Sequence, residues 1–226
     1  MSVILNIDTA TEEAHISFAR EGQIVQSFNN TSQKDHAAFL QVAIGQLTKE
    51  TGILLKDIEA VAVTSGPGSY TGLRVGMASA KGICYALQKP LITLNTLAIL
   101  AASAIDQKPL GDTLSDLFCP MLDARRMEVY TAIYDHQLNC ILPAFAHVLD
   151  QFSYKNQLLN NKVHFFGSGS AKWKNICVHP NALFENISIL PKIMAQLADN
   201  HLKLQNFTPL PYSEPNYLKE FNDEKK

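Results

Sequence analysis

Apolar residues in this chain fall into short closed runs, alternating pairs and long helical spacings, and the three patterns recur in the same order. Val3 to Asp8 is an apolar run closed by an acid, which predicts a buried central strand with Asp8 at its carboxyl end. Ala14 to Arg20 and Gln23 to Phe28 alternate about Glu21-Gly22, the signature of a tight hairpin. Thr31 and Ser32 lead into a helix over 34–50 that Gly52 ends, with His36, Phe39, Leu40, Ala43 and Leu47 on one face. Val61 to Ser65 and Leu91 to Leu94 predict two more strands. Asn95 or Thr96 then caps a helix to Ile105.

Between those two strands lies the stretch that organises the chain. Gly66-Pro67-Gly68 stops the strand, and Ser69 or Thr71 can cap the helix from Leu73 to Leu87. Arg74, Lys81 and Gln88 form one narrow polar stripe on that helix, so its apolar remainder must be covered on more than one side. Gly72, Gly76 and Ala80 recur every four residues and share a face. Each glycine inside a helix costs about 0.5–1 kcal/mol relative to alanine, which close packing must offset. Tight packing inside this subunit and the approach of a partner helix both explain the stripe, and spacing does not choose between them.

Beyond Lys108 to Thr113, a boundary marked by Pro109 and Gly111, the opening pattern returns. Cys119 to Asp123 is an apolar run closed by an acid, Glu128 to Asp135 alternates, and Asn139 to Phe145 completes a hairpin. Two similar lobes, 1–108 and 109–226, are expected, with the C-terminal tail able to pack back on the first. The second lobe carries a helix over Phe152 to Asn160, a strand over Val163 to Phe166 and a loop over Gly167 to Ser170. A helix follows over Pro191 to Leu204, with Ile193, Met194, Leu197 and Leu202 inward. Pro209, Pro211 and Pro215 mark the tail, and Asp223 to Lys226 reads as frayed.

Composition narrows the function. The chain has 226 residues and a formal charge of −2, so no basic surface announces a nucleic acid or an anionic membrane. Its four cysteines form no CxxC pair, which fits small core residues in a reducing compartment. No basic leader or long apolar run opens the sequence, so a cytoplasmic protein is expected. The glycine turn lacks the Lys-Ser/Thr pair of a P-loop, and its glycines are misspaced for a dinucleotide fingerprint. Asp123 with Arg125 and Arg126 could grip a phosphate or form a self-satisfied turn. Gly167 and Gly169 stand without the flanking residues of a phosphate loop. His36 has Leu40 four positions on, so the helical histidine pair of a metal site is missing. No metal, cofactor or catalytic residue is assigned.

Four blocks carry a resemblance. Leu5 to Thr11 (LNIDTAT), Gly66 to Gly76 (GPGSYTGLRVG), Leu122 to Tyr130 (LDARRMEVY) and Glu214 to Lys219 (EPNYLK) resemble the bacterial TsaB family, also called YeaZ. The resemblance implies an α/β, two-lobe actin-like (ASKHA) fold, with each lobe ribonuclease-H-like and the second reduced. It also implies work in forming threonylcarbamoyladenosine next to the anticodon of tRNAs that read codons starting with A. In that pathway TsaD carries the active site, TsaB is its non-catalytic partner, and TsaE is an ATPase that joins them. The family implies docking on TsaD, and a homodimer when alone, through helices 34–50 and 73–88. The residues expected there are His36, Phe39, Leu40, Ala43, Leu47, Gly72, Leu73, Arg74, Gly76, Met77, Ala80 and Ile83. Contact with tRNA is expected only through the complex. Asp8, Thr9 and Thr11 occupy the place where ATPases of this superfamily bind nucleotide. The glycine that normally lets a phosphate approach is missing there, so Asp8 is read as a structural cap rather than a metal ligand. The alternatives are an autonomous actin-like ATPase or kinase, which the incomplete phosphate turns oppose, and a protease, for which no residue set speaks.

Overall fold

The structure, a computed structural model, describes residues 2–31, 35–108 and 115–219. The chain divides into two compact units, Met1–Ile99 with Leu190–Asn216, and Leu100–Ile189 with Tyr217–Lys226. The boundary expected at Lys108 to Thr113 lies outside the described residues beyond Lys108, as does the charged end Asp223 to Lys226.

The first unit holds β1 (Val3–Asp8), β2 (Ala14–Arg20), β3 (Gln23–Asn30), β4 (Ala60–Gly66) and β5 (Leu91–Asn95) in the order β3-β2-β1-β4-β5. β1 pairs antiparallel with β2 and parallel with β4. β2–β3 is antiparallel and β4–β5 parallel. In the second unit β6 (Leu117–Asp123), β7 (Glu128–Tyr134), β8 (Cys140–Val148), β9 (Val163–Phe166) and β10 (Ala182–Phe184) follow the same plan, ordered β10-β9-β6-β7-β8. β6 stands where β1 stood, antiparallel to β7 and parallel to β9. An antiparallel hairpin extending a parallel trio is the ribonuclease-H-like arrangement, and its repetition in one chain is the actin-like α/β class.

Every residue of β1 is buried, so both faces of its sheet are covered. One cover is α1 (His36–Thr51) with α2 (Tyr70–Leu87). Leu40, Ala43 and Leu47 of α1 and Met77, Ala80 and Cys84 of α2 pack on Leu5, Ile7, Phe18 and Val63. α1 ends where Gly52 turns left-handed (φ 71°) and its N–H reaches the Thr48 carbonyl. α2 starts at the cap Ser69, whose Oγ accepts from the Gly72 N–H at 3.3 Å. α3 (Thr96–Asp106) is capped by Asn95, which accepts from the Leu97 and Ala98 N–H groups.

α4 (Lys155–Asn160) and α5 (Ser170–Lys174) belong to the second unit, while α6 (Pro191–Lys203) lies against β1, β2, β3 and β5. On α6 the inward set differs from the sequence reading. Leu197 and Leu202 are only half-buried, and Asp199 is buried instead. Asp199 packs beside the hairpin glycine Gly22 and holds Lys203 Nζ at 2.6 Å, one turn along, which compensates its charge.

In the second unit the helices shrink to 6 and 5 residues, against 16 and 18 in the first. The loop expected over Gly167 to Ser170 ends where α5 begins. Trp173 of α5 anchors an aromatic core, 4.4 Å from the Phe165 ring and 5.0 Å from Tyr154. Next to Phe165 along β9, His164 stacks on Phe118 and lies between two carboxylates, Nε2 2.8 Å from Asp116 Oδ2 and Nδ1 2.7 Å from Glu185 Oε1. Lys108 also donates to that glutamate oxygen.

Candidate partner-docking face

The turn after β1 is closed by its own chain. Asp8 and Thr9 are fully buried. Asp8 Oδ1 accepts from the Ala10 N–H at 3.1 Å and from Thr64 Oγ1 at 3.0 Å. Thr9 Oγ1 donates to the Gly72 carbonyl at 2.7 Å, and the Ser69 N–H donates to the Ala10 carbonyl at 2.7 Å. Burial raises the Asp8 pKa, against the lowering effects of the Ala10 N–H, His15, Thr64 and His36. Its Oδ2 has no partner among the described residues. A carboxyl group held this way serves as a structural acceptor. At Asp8 and Thr9, the positions the resemblance associates with nucleotide, the glycine turn packs directly on the backbone of Thr9 and Ala10. Thr11 Oγ1 is spent on the Glu13 carbonyl.

The same contact explains the small-residue stripe. A Cβ at Gly72 would lie 2.0 Å from the Thr9 carbonyl oxygen, and one at Gly76 2.3 Å from Thr9 Oγ1. At Gly68 it would lie 2.2 Å from the Ala10 carbonyl oxygen. These glycines let α2 lie on the β1 turn, so the reading of tight packing inside the subunit describes them. Leu73, Met77 and Ala80 are buried with them, as are His36, Leu40, Ala43 and Leu47 on α1. The resemblance places them in a partner interface; in this chain their side chains are covered from within the first unit. Of the twelve residues expected there, Arg74 is exposed, its guanidinium 4.0 Å over the Tyr70 ring. Phe39 and Ile83 are half-buried against the core.

A different face of the same two helices is bare. On α2, Ala78, Gly82, Tyr85 and Ala86 are exposed, and on α1 Ala38, Val42 and Gly45. Beyond the adjoining residues and backbone of its own helix, no atom of the described residues lies within 4 Å of a Cβ built at Gly82 or at Gly45. Nothing in the described chain offsets the helical cost of these two glycines. At 100° per residue, Ala78 lies 240° round the helix from Gly72, so this second stripe points away from the first. Sequence reasoning missed it. Its signal was the run Ala78, Gly82, Ala86, four apart on a helix otherwise short of polar residues.

In the second unit the turn after β6 is likewise held by its own chain. Asp123 Oδ1 accepts from the Arg125 N–H and from Lys172 Nζ, both at 2.6 Å, and the Asp123 N–H reaches Ser168 Oγ. Burial opposes ionisation, but Lys172 and the Arg125 N–H outweigh it and lower the Asp123 pKa. This is the self-satisfied turn. Gly167 and Gly169 pack against the end of β6, where a Cβ at Gly167 would lie 2.5 Å from the Met121 carbonyl oxygen. His147 Nε2 lies 2.9 Å from Ser153 Oγ, and Asp150 is near. Yet Asp150 bonds to the serine, through both its N–H and Oδ1, and not to the imidazole. The hydroxyl is a loop cap, without the base and orienter order that nucleophilic catalysis needs. Among the described residues no three His, Cys, Asp or Glu side chains converge as a metal site, and no helix is long and apolar enough to cross a membrane.

Known proteins resemble this chain throughout. The family model of TsaD, tRNA N6-adenosine threonylcarbamoyltransferase, matches residues 23–206. The Bacillus subtilis tRNA threonylcarbamoyladenosine biosynthesis protein TsaB is 31% identical over 134 residues, 59% of this chain and 56% of its own. The Escherichia coli TsaB is 32% identical over 138 residues, 61% of this chain and 57% of its own. A solved structure, YeaZ from Pseudomonas aeruginosa, aligns with TM-score 0.76 and 25% identity, covering 96% of this chain and all of that one. The chain belongs to the TsaB (YeaZ) family. Its alignments span a little over half the length of these two TsaB relatives. Within the TsaB frame, the bare α1–α2 face lies on the two helices expected to dock, but on residues other than those expected.

Proposed function

We propose that this chain is a non-catalytic docking subunit of a tRNA threonylcarbamoylation assembly in the cytoplasm. It seats a TsaD subunit on the outer face of α1 and α2, pairs with a second copy there when alone, and meets TsaE and tRNA only within the complex. TsaD supplies the reacting groups that modify the adenosine next to the anticodon in tRNAs reading codons that start with A. The observation that carries this reading is the contrast between two sets of glycines. Gly68, Gly72 and Gly76 are filled by the chain's own β1 turn, while Gly45 and Gly82 face open space. The close packing of the first set speaks for a structural role of the β1 turn, and the second leaves a low-polarity surface that a helix pair can cover. TsaD shares the fold that its family model finds over 23–206, so its own helix pair can meet this one in a near two-fold way.

The test is reconstitution with TsaD, TsaE, tRNA and the threonylcarbamoyl adenylate, omitting one protein at a time. Omission of this chain should abolish turnover that TsaD otherwise sustains, and this chain without TsaD should give none. Modification by this chain with TsaE alone, or tight binding of magnesium ATP to the isolated chain, would refute the reading.

A further inference from the structure

The chain after α6 returns along the first unit as a strap. The Thr208 N–H donates to the Leu91 carbonyl at 2.8 Å, Leu210 packs into the core beneath α2, and the Asn216 N–H donates to the Ser65 carbonyl at 2.7 Å. Between those anchors runs a 3-10 turn, Leu210–Tyr212, closed by Ser213 Oγ donating to the Leu210 carbonyl. Lys81 fastens this turn to α2. Its Nζ donates to the Ser213 carbonyl at 2.8 Å and to the Pro211 carbonyl at 3.4 Å. It is the only charged residue of α2 after Arg74, and these carbonyls hold its ammonium group.

The clip fixes a side wall beside the bare face. Val75 and Ile83, on one flank of Gly82, pack into the cluster shared with α1. Lys81 and Tyr85 lie on the opposite flank, 100° and 60° round the helix from Gly82. There the strap holds out Tyr212, 87% exposed, on the flank that also carries Tyr85, 73% exposed. The low floor of Ala78 and Gly82 thus has α1 on one side and a strap with an exposed tyrosine on the other. Exposed tyrosines carry large apolar area with a polar tip, and they are enriched among the residues that dominate binding.

We infer that the C-terminal strap is a working part of the docking face. Tyr212 and Tyr85 grip the flank of the TsaD helix seated on Gly82, and Lys81 is the positioning residue that holds the strap there. The inference rests on the docking reading above and commits to TsaD as the occupant, because the wall continues the surface proposed for it.

Titration calorimetry of TsaD into the full chain tests it, with thermal unfolding of each variant as the fold control. Tyr212→Ala, at a surface position, should unfold like wild type and weaken TsaD binding by at least about tenfold. Lys81→Met should weaken binding in the same direction and speed hydrogen exchange at the Asn216 amide, showing a loosened strap. Gly82→Leu separates the two ideas. If Gly82→Leu abolishes binding while Tyr212→Ala and Lys81→Met bind as wild type, the strap is passive and this inference falls alone. If all three bind as wild type, the docking reading falls with it. Weakened self-pairing with unchanged TsaD affinity in Tyr212→Ala would overturn TsaD as the occupant.

Discussion

Gly76→Ala and Gly82→Ala add the same methyl group to one helix, six residues apart, and should act in opposite directions. At Gly82 the methyl meets open space. Only the helix propensity changes, a gain of about 0.5–1 kcal/mol. For a chain of this size that raises the midpoint of unfolding by about 1–4 °C. At Gly76 the methyl would lie 2.3 Å from Thr9 Oγ1, with Val63 and Ile7 at 3.5 and 3.6 Å behind it. Thr9 must move and loses its bond to the Gly72 carbonyl. Overpacking costs about 1–3 kcal/mol and the lost bond about 0.5–1.5, against the same helical gain. The net is a loss of about 0.5–4 kcal/mol, or roughly 1–16 °C. Circular dichroism melts serve as the assay, at concentrations where sedimentation shows monomer, so that pairing does not add to stability. A Gly76→Ala midpoint equal to or above that of Gly82→Ala would refute the assignment of the two glycine stripes.

Two further outcomes follow from carboxyl groups, one buried at Asp8 and one half-buried at Glu185. Asp8 has a raised pKa because burial disfavours its charge, so the folded state holds its proton longer than the unfolded chain does. Its contribution is therefore present at low pH and lost as pH rises from the ordinary aspartate range toward the folded value. Asp8→Asn keeps an acceptor for Ala10 and Thr64, and its stability relative to wild type should improve as denaturant melts move up from the ordinary aspartate range, then level off above the folded value. Parallel pH profiles would count against a buried, strained carboxyl. Glu185 is the reverse case: burial raises its pKa, but Lys108 and His164 outweigh it and the value is lowered. Its stabilisation is present above the unfolded value and lost as pH falls through the folded one. Glu185→Gln should be less stable than wild type at neutral pH and converge with it in acid, read by fluorescence of Trp173, the single tryptophan. A constant gap across that range would contradict the cluster.

Much of the fold was legible because its signals are local. Glu21-Gly22 fixes a hairpin, Gly52 ends α1, Ser69 and Asn95 cap their helices, and two apolar runs closed by Asp8 and Asp123 announce two equivalent central strands. α5 and β10, of 5 and 3 residues, are too short for a period to show. Asp199 was hidden because an acid on an apolar face looks like a surface residue until Lys203 and Gly22 are seen beside it. The residues of the proposed docking face were harder to read for a physical reason. Spacing reveals that Gly72, Gly76 and Ala80 share a face, but not that Thr9, more than sixty residues earlier, fills it. A glycine's helical cost is the same whether its offset comes from within the chain or from outside. The distinction between Gly76 and Gly82 therefore belongs to tertiary structure alone.

The central claim is that a TsaD subunit covers the open side of α2 at Gly82. The most direct measurement is the dissociation constant between TsaD and the Gly82→Leu chain, taken beside wild type under identical conditions. A leucine there has room in the isolated chain and none under a closely seated helix. The account expects a melting midpoint at or a few degrees above that of wild type, from the helix propensity gained, and affinity weakened by at least about a hundredfold, the scale of losing a tightly packed interface core. A folded Gly82→Leu chain that binds TsaD as tightly as wild type would contradict it.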